Sequence, residues 1–574
     1  MTPLEPTTPA VTAANFLAAQ GVRRIFGLCG GHVQALWDAI AQAGIEIVDV
    51  RHEGAAVHMA HAHAEVTGEL GVAVVTAGPG LTNAVTAIAN ASVSRAPVLV
   101  LSGRAPRPQS GMHAMQDLPQ ADVVAPLVRR AERLEHPRHL VDRLTRCARA
   151  ALGHDGHSGP SYLDLPADLW DEPYRPTPQD RLPGRVVDRE PAPAPARAVV
   201  EAVSLLADAT RPLVISGRGA SWASGPLAHL LEASGAVHLD SSDSRGLLAD
   251  HPATVPAARG RAVAEADVVV TVGRVLDFQL GYGSAAVFAA DARFVRIGRT
   301  DDELVANRYP DVEVRADIAP SLTALADGLD AHDGPRRDPA WRTDLVITHA
   351  RRAKALADRL ARATCEDDGR ISPFALIREV NAIVGDGGFT LADGGDILSF
   401  ARIALKAPRH LDCGPLGCLG VGTPFAVAAA LARPGGAEPV VALIGDGSFG
   451  FTAMEVDTAV RHDAPVVLVI ANNEAWNIER HDQLARFDGR LVGVDLPGCR
   501  YDLLAEGLGA HAERVEDLAD LPGALSRARA HAPAVVDVLV SRAPTSPDFD
   551  SGLAKVPSLQ ALARWDEAER ALRV

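Results

Sequence analysis

Apolar residues along this chain fall into short runs, separated by longer stretches in helical period. RRIFG (23–27), IEIVDV (45–50), GVAVV (71–75), PVLVLSG (97–103) and GPSYLDLPADL (159–169) make a first group of strand-like runs. RPLVISG (211–217), ADVVVTVG (266–273) and RFVRIG (293–298) make a second, and TLAD (390–393), VVALI (440–444), PVVLVIA (465–471) and PAVVDVLVS (533–541) a third. Near-continuous Val, Ile and Leu runs mark strands covered by helices on both faces. Segments such as VTAANFLAAQGV (11–22) read as those helices. Alternating β and α elements of this length predict an α/β chain of parallel, doubly wound sheets, one per group.

The pattern breaks in three places. Residues 173–197 are rich in Pro and charge and lack periodicity, which predicts an extended linker. Residues 340–363 read as a long charged helix, and Ser372 with Pro373 makes a helix start, N-cap followed by N1. The predicted organisation is a first domain over 1–172, the linker, a middle domain over 198–330, and a helical connection over 331–369. A last domain follows over 370–541, then a tail over 542–574 with a short amphipathic helix near 558–571. That tail is expected to act as a lid.

Length and composition narrow the class. A chain of 574 residues is too long for one core and suits roughly three domains. Apolar content of 47% with 22% charged residues is ordinary for a globular protein. A net charge of −16 argues against a nucleic-acid surface, and no run approaches a membrane span. Six scattered cysteines form no CxxC pair, so neither a disulfide framework nor a zinc site is expected. With no basic, apolar leader at the start, the chain reads as cytoplasmic.

The candidate chemistry sits at strand ends, where open α/β sheets bind ligands. Gly445-Asp446-Gly447-Ser448 follows one apolar run of the third group, and Asn472-Asn473 ends the next. Asp446 offers a carboxylate and Asn473 an amide oxygen, both hard ligands suited to Mg²⁺. Gly445 and Gly447 let backbone approach a phosphate at the start of a helix. Taken singly, these residues also suit an ordinary βαβ turn. Glu53, after IEIVDV, is a carboxyl at a strand end in mostly apolar company, a position suited to proton exchange with a heteroatom. His58, His61 and His63 share one helix without a carboxylate or cysteine at metal spacing, which predicts a solvated or interface face.

GDG, the intervening spacer and NN together resemble the thiamine diphosphate (ThDP) signature of the acetolactate synthase, pyruvate oxidase and oxalyl-CoA decarboxylase group. The resemblance runs from about residue 10 to 541 and implies a dimer or tetramer with each active site between two subunits. It implies Asp446, Asn473 and the carbonyl of Ala475 as Mg²⁺ ligands against the diphosphate, with Gly394, Gly395, Asp396, Gly445, Gly447 and Ser448 around them. Gly417-Cys418-Leu419-Gly420 matches the family's Gly-x-Met-Gly element. Leu419 then stands as the wedge that keeps the cofactor bent, and the Gly417 carbonyl as acceptor for its 4′-amino group. Arg51-His52-Glu53, then GPG-LTN (78–83), resembles the pyrimidine-binding domain. Glu53 would contact the aminopyrimidine N1′, with Gly30 and Asn83 nearby and Gln116 reaching into the site.

The family leaves the substrate open. Its middle domain takes FAD, ADP, CoA or nothing, and Arg218, Arg274, Arg296 and Arg299 lie near strand ends where CoA phosphates could meet them. Met115-Gln116 and Asn477 depart from oxalyl-CoA decarboxylases, and MQD departs from the FQE of acetolactate synthases. NNEAWNIERHDQ and the VPSLQALARWDEAER tail are similar to 2-hydroxyacyl-CoA lyases, and that activity is expected, with Ala114, Met115 and Leu127 lining a small acceptor pocket. A synthase, a decarboxylase and a catalytically silent binding subunit are the alternatives.

Overall fold

A computed structural model describes residues 6–547 and 550, apart from 177–180, 187–189, 242–243, 333–336, 386, 407–408, 434, 436–437 and 497. The tail expected to form a lid lies almost wholly outside the described residues. Three all-parallel sheets carry the fold. The first contains β1 (Arg24–Gly27), β2 (Glu46–Asp49), β3 (Gly71–Val75), β4 (Val98–Arg104), β5 (Arg130–Arg133) and β6 (Ser161–Pro166), in the order β2-β1-β3-β4-β6-β5. The second contains β7 (Pro212–Ser216), β8 (Val237–Asp240), β9 (Val268–Val272), β10 (Arg293–Gly298) and β11 (Val312–Arg315), ordered β11-β10-β9-β7-β8. The third contains β12 (Phe389–Asp393), β13 (His410–Leu411), β14 (Val440–Gly445), β15 (Val466–Asn472), β16 (His511–Val515) and β17 (Ala534–Leu539), ordered β13-β12-β14-β15-β17-β16.

The first and third sheets therefore share one topology. In each, the chain reverses direction across the sheet between its first and third strands, which opens a crevice at their C-terminal ends. Interior strands such as β3, β9 and β15 are buried along their whole length, as their Val-rich sequences require.

One apolar core is shared by the first and third domains; the first domain has a second core on its other face, and the middle domain has its own. Helix Glu53–Thr67 packs against helix Gly422–Ala432 at the centre of the shared core. His58 and His61 are buried in this packing, and the His61 ring meets Phe425 edge-on with centroids 4.9 Å apart. Of the solvated or interface face expected of this helix, His58 and His61 form the interface, between two domains of one chain. Burial pushes the His58 and His61 imidazoles down to about 3 and that of His63 to about 4. Among the described residues no three His, Cys, Asp or Glu side chains converge as a metal site. The predicted long charged helix runs from Pro339 to Arg362, and Pro373 opens the next with Ser372 at its N-cap.

Candidate active site

The crevice of the third sheet opens into a cavity of about 330 Å³. Register places Asp393 beside Ile444 and Gly445 beside Ala471, so the C-terminal ends of β12, β14 and β15 stand side by side. From them come Gly394, Gly395, Asp396, Gly445, Asp446, Gly447, Ser448, Asn473 and Ala475, all of which line the cavity. Gly417 and Leu419 line it from the preceding loop. The sequence-predicted residues of this half thus come together in one chain.

Local geometry explains the residue types. Asn472 donates to Asp537 on β17 at 2.9 Å, which locks the strand end, while Asn473 turns its side chain the other way. The Asn473 Oδ1 accepts from the Ala475 N–H at 3.1 Å, and the Asp446 carboxylate accepts from the same amide and from Glu474 N–H. Two oxygen ligands thus converge on one short turn. Gly394 has φ +126°, and a Cβ there would stand 3.3 Å from the Gly445 nitrogen. At Gly447 a Cβ would meet the Trp476 ring at 2.5 Å, so only glycine fits between strand end and indole.

Burial dominates the electrostatics. It pushes the Asp446 carboxyl up to about 7 and those of Asp393 and Asp396 up to about 6. Asp393 Oδ2 accepts from the Gly420 and Gly422 amides at 3.1 and 2.7 Å, while its Oδ1 is buried without a partner. Asp396 Oδ2 accepts from Asn477 at 2.9 Å, and here too Oδ1 has no partner. Of these carboxyls Asp396 and Asp446 line the glycine-walled cavity; Asp446 with the Asn473 amide oxygen suits a divalent cation, which would hold Asp446 ionised and offset its charge against an approaching phosphate. The donor set, one carboxylate, one amide oxygen and backbone carbonyl, is the hard-oxygen set Mg²⁺ takes.

Sequence reasoning missed Asp393 and Trp476. The first fastens the 417–422 turn to β12 and the second walls the cavity over Gly447. The run LADGG pointed to the first; nothing in the pattern singles out a lone tryptophan.

Glu53 lies elsewhere. It is buried at the start of its helix, where Oε2 accepts from Asn83 at 2.9 Å and Oε1 faces Gly80. Gly30 packs on Thr76, where a Cβ would come within 2.4 Å. Gln116 has φ +61° and sits against Gly78, whose amide donates to the buried Gln120, another residue missed, at 2.6 Å. Among the described residues lining the 330 Å³ cavity, none comes from the first domain. The segment before Glu53 is fastened to the third domain of its own chain: Glu455 accepts from the Arg51 amide at 3.2 Å, two residues before Glu53. Burial pushes the Glu455 carboxyl up to about 7.

A larger cavity of about 870 Å³ occupies the C-terminal ends of the middle sheet. Arg95, Arg218, Arg274 and Arg299 line it together with Asp277, Asp302, Glu303 and Asp317. Arg296, the other arginine expected there, is instead fully buried and donates to the carbonyls of Ala306, Arg308 and Asp302. It braces a loop and cannot reach a ligand. Pro415 lines both cavities, and Asp277 of the larger abuts Phe278 of the smaller.

Three parallel α/β sheets with a glycine-walled, oxygen-lined crevice define the class. Three family signatures match in chain order: thiamine pyrophosphate enzyme N-terminal TPP binding domain at 10–124, central domain at 199–325 and C-terminal TPP binding domain at 393–538. The chain is 35% identical to a probable acetolactate synthase of Mycobacterium bovis, over 93% of this chain and 97% of that protein. It is 32% identical to human 2-hydroxyacyl-CoA lyase 2, over 94% and 90%, and 31% identical to the Caenorhabditis elegans 2-hydroxyacyl-CoA lyase 2, over 88% and 84%. The chain belongs to the thiamine pyrophosphate enzymes. Among its described residues no helix is long and apolar enough to cross a membrane.

Proposed function

We propose that this enzyme is a carbon–carbon lyase that cleaves a 2-hydroxyacyl-CoA to formyl-CoA and an aldehyde or ketone, and runs in reverse as an acyloin-type condensation. The observation that carries this reading is the 870 Å³ cavity meeting the 330 Å³ crevice at Pro415. Arginines suit phosphates and carboxylates suit ribose hydroxyls, so the larger cavity has the chemistry for a nucleotide such as the ADP portion of CoA, or free ADP. A nucleotide held there would point its long arm towards the crevice, where a thioester could react.

Bound ThDP supplies a carbon nucleophile and an electron sink for the bond that breaks. This chain's residues would do the rest. Asp446, Asn473 and the Ala475 carbonyl hold Mg²⁺; Gly394, Gly395, Asp396, Gly445, Gly447 and Ser448 surround the diphosphate. Leu419 and Gly417 line the crevice; Leu419 would support the cofactor's rings as an apolar wedge, and the Gly417 carbonyl would accept from its amino group. Glu53, kept in place by Asn83, would exchange a proton with the pyrimidine nitrogen of bound ThDP. Gln116 faces the acyl group, beside Ala114, Met115 and Leu127, which favours a small branched substrate such as 2-hydroxyisobutyryl-CoA.

Because Glu53 does not line the crevice of its own chain, we infer a homodimer or homotetramer in which one subunit contributes Glu53 and its partner the diphosphate half. A second reading, an acetolactate synthase-like carboligase acting on 2-oxo acids, is favoured by the 35% identity to the Mycobacterium protein. The test supplies the holoenzyme with a panel of 2-hydroxyacyl-CoAs and, separately, with pyruvate. Formyl-CoA from the first panel is expected. Acetolactate from pyruvate with no formyl-CoA would replace the lyase by the synthase, and neither product would favour the silent-subunit alternative.

A further inference from the structure

The three domains meet around another cavity, of about 310 Å³, at the end of the third sheet opposite the active-site crevice. Phe389 and His410 reach it from the N-terminal ends of β12 and β13. Glu65 comes from the last turn of the helix that begins at Glu53, and Trp222 and Arg245 come from the middle domain. Arg409 completes the wall. Nothing in the proposed reaction uses this place.

Its arginines lack direct acidic partners among the described residues. Arg245 Nη2 donates to the Ala401 carbonyl at 2.7 Å, but its Nη1 is buried and makes no hydrogen bond. Arg409 donates to the Val66 carbonyl at 3.1 Å and stands over the Phe389 ring. Among the described residues neither guanidinium forms an ion pair. Glu65, the acid of the cavity wall, is already engaged by Arg218 at 2.6 and 2.9 Å. Asp240 and Asp412 act on Arg245 through space but form no ion pair with it: Asp240 accepts from the Gly246 amide, and Asp412 from the Gly414 amide and Arg402. His410 binds Thr390 through Nδ1, and its Nε2 is buried without a partner. A buried guanidinium nitrogen with no acceptor costs free energy that folded proteins rarely leave uncompensated.

We propose that this three-domain junction binds a small phosphate dianion, held by Arg245 within and Arg409 at the rim, with His410 Nε2 on its flank. Two guanidiniums match a dianion, and a fork of N–H donors matches phosphate oxygens. The cavity exceeds a bare phosphate, and the Trp222 ring walls it, so a small organic phosphate ester fits as well as inorganic phosphate. Such a ligand would tie the end of the Glu53 helix to the other two domains. The inference does not depend on which substrate the active site takes.

The experiment is a thermal-shift titration of holoenzyme, saturated with ThDP and Mg²⁺, at constant ionic strength. Inorganic phosphate and glycerol 3-phosphate are the probes, and the one that binds more tightly identifies the source. A saturable rise in Tm is expected, weakened about tenfold or more in Arg409→Gln and in Arg245→Gln. Arg409 is exposed, so its variant folds even if the Arg245 variant does not. No saturable rise with either probe, or a rise unchanged in Arg409→Gln, would overturn the proposal.

Discussion

The first and third sheets have the same strand order and opposite chemistry at the same crevice. In the third sheet the space between β12 and β14 is kept open by Gly394 against Gly445 and ringed by buried carboxyls. In the first sheet the equivalent space is closed by Gly30 on Thr76, and the loop beyond β3 is fixed by Gln120. What that sheet offers at its crevice is one carboxylate, Glu53, at the start of a helix that continues through the buried histidines His58 and His61 and carries its other acid, Glu65, in its last turn, paired with Arg218. One topology thus yields an oxygen-lined, glycine-walled crevice in one sheet and a single buried carboxyl, Glu53, in the other; in the proposed reaction these are the cradle and the proton carrier. Loop composition, not strand order, makes the difference.

That contrast can be broken at each side. Glu53→Gln should lower turnover about 10²- to 10⁴-fold while leaving cofactor affinity nearly unchanged, as loss of a proton-transfer group does. Steady-state rates beside a ThDP titration separate the two effects. Asp446→Ala should do the reverse, weakening Mg²⁺ and ThDP binding by about 100-fold or more, as measured by calorimetry. Unmutated protein should show the same residue through pH. With the Asp446 carboxyl at about 7 in metal-free protein, cofactor loading requires loss of its proton. Apparent affinity should therefore climb about tenfold per unit as pH rises towards 7, then level off. Gly447→Ala, which drives a Cβ into Trp476, should cost roughly 1–3 kcal/mol of stability by overpacking and loosen the cofactor.

The smallest effect belongs to the histidine helix. The folded state holds His58 and His61 near 3, below the ordinary 6.5, so between those values it binds fewer protons than the unfolded chain. Their contribution to stability is complete above pH 6.5 and is lost as pH falls below it, by up to about 1.4 kcal/mol per unit for each. His61→Leu should flatten the acid limb of a denaturation series accordingly.

Much of this contrast could be read from residue order. Buried central strands are long Val-rich runs, and Asp446 and Asn473 announce themselves by standing at their ends. Edge strands were less legible. RAER, VHLD, VEVR, HL and HAERV (β5, β8, β11, β13 and β16) lack an apolar run, because an edge strand pairs on one side only and tolerates charge. The histidines leave solvent and interface open for a related reason. Their burial comes from a helix in another domain, some 360 residues away in the chain, which no local period reveals. Arg296 looked like a phosphate ligand because a strand-end arginine reads the same whether it faces a cavity or braces a loop.

The central claim is that a working site needs Glu53 from one subunit and Asp446 from its partner. It is tested most directly by mixing two inactive proteins, Glu53→Gln and Asp446→Ala, after dissociating and reassembling their subunits. Mixed dimers would carry one site with both residues intact, so activity should return to about one quarter of wild type under random pairing. If both residues served the same site from one chain, no mixture would contain an intact site and activity would stay at the level of the separate variants.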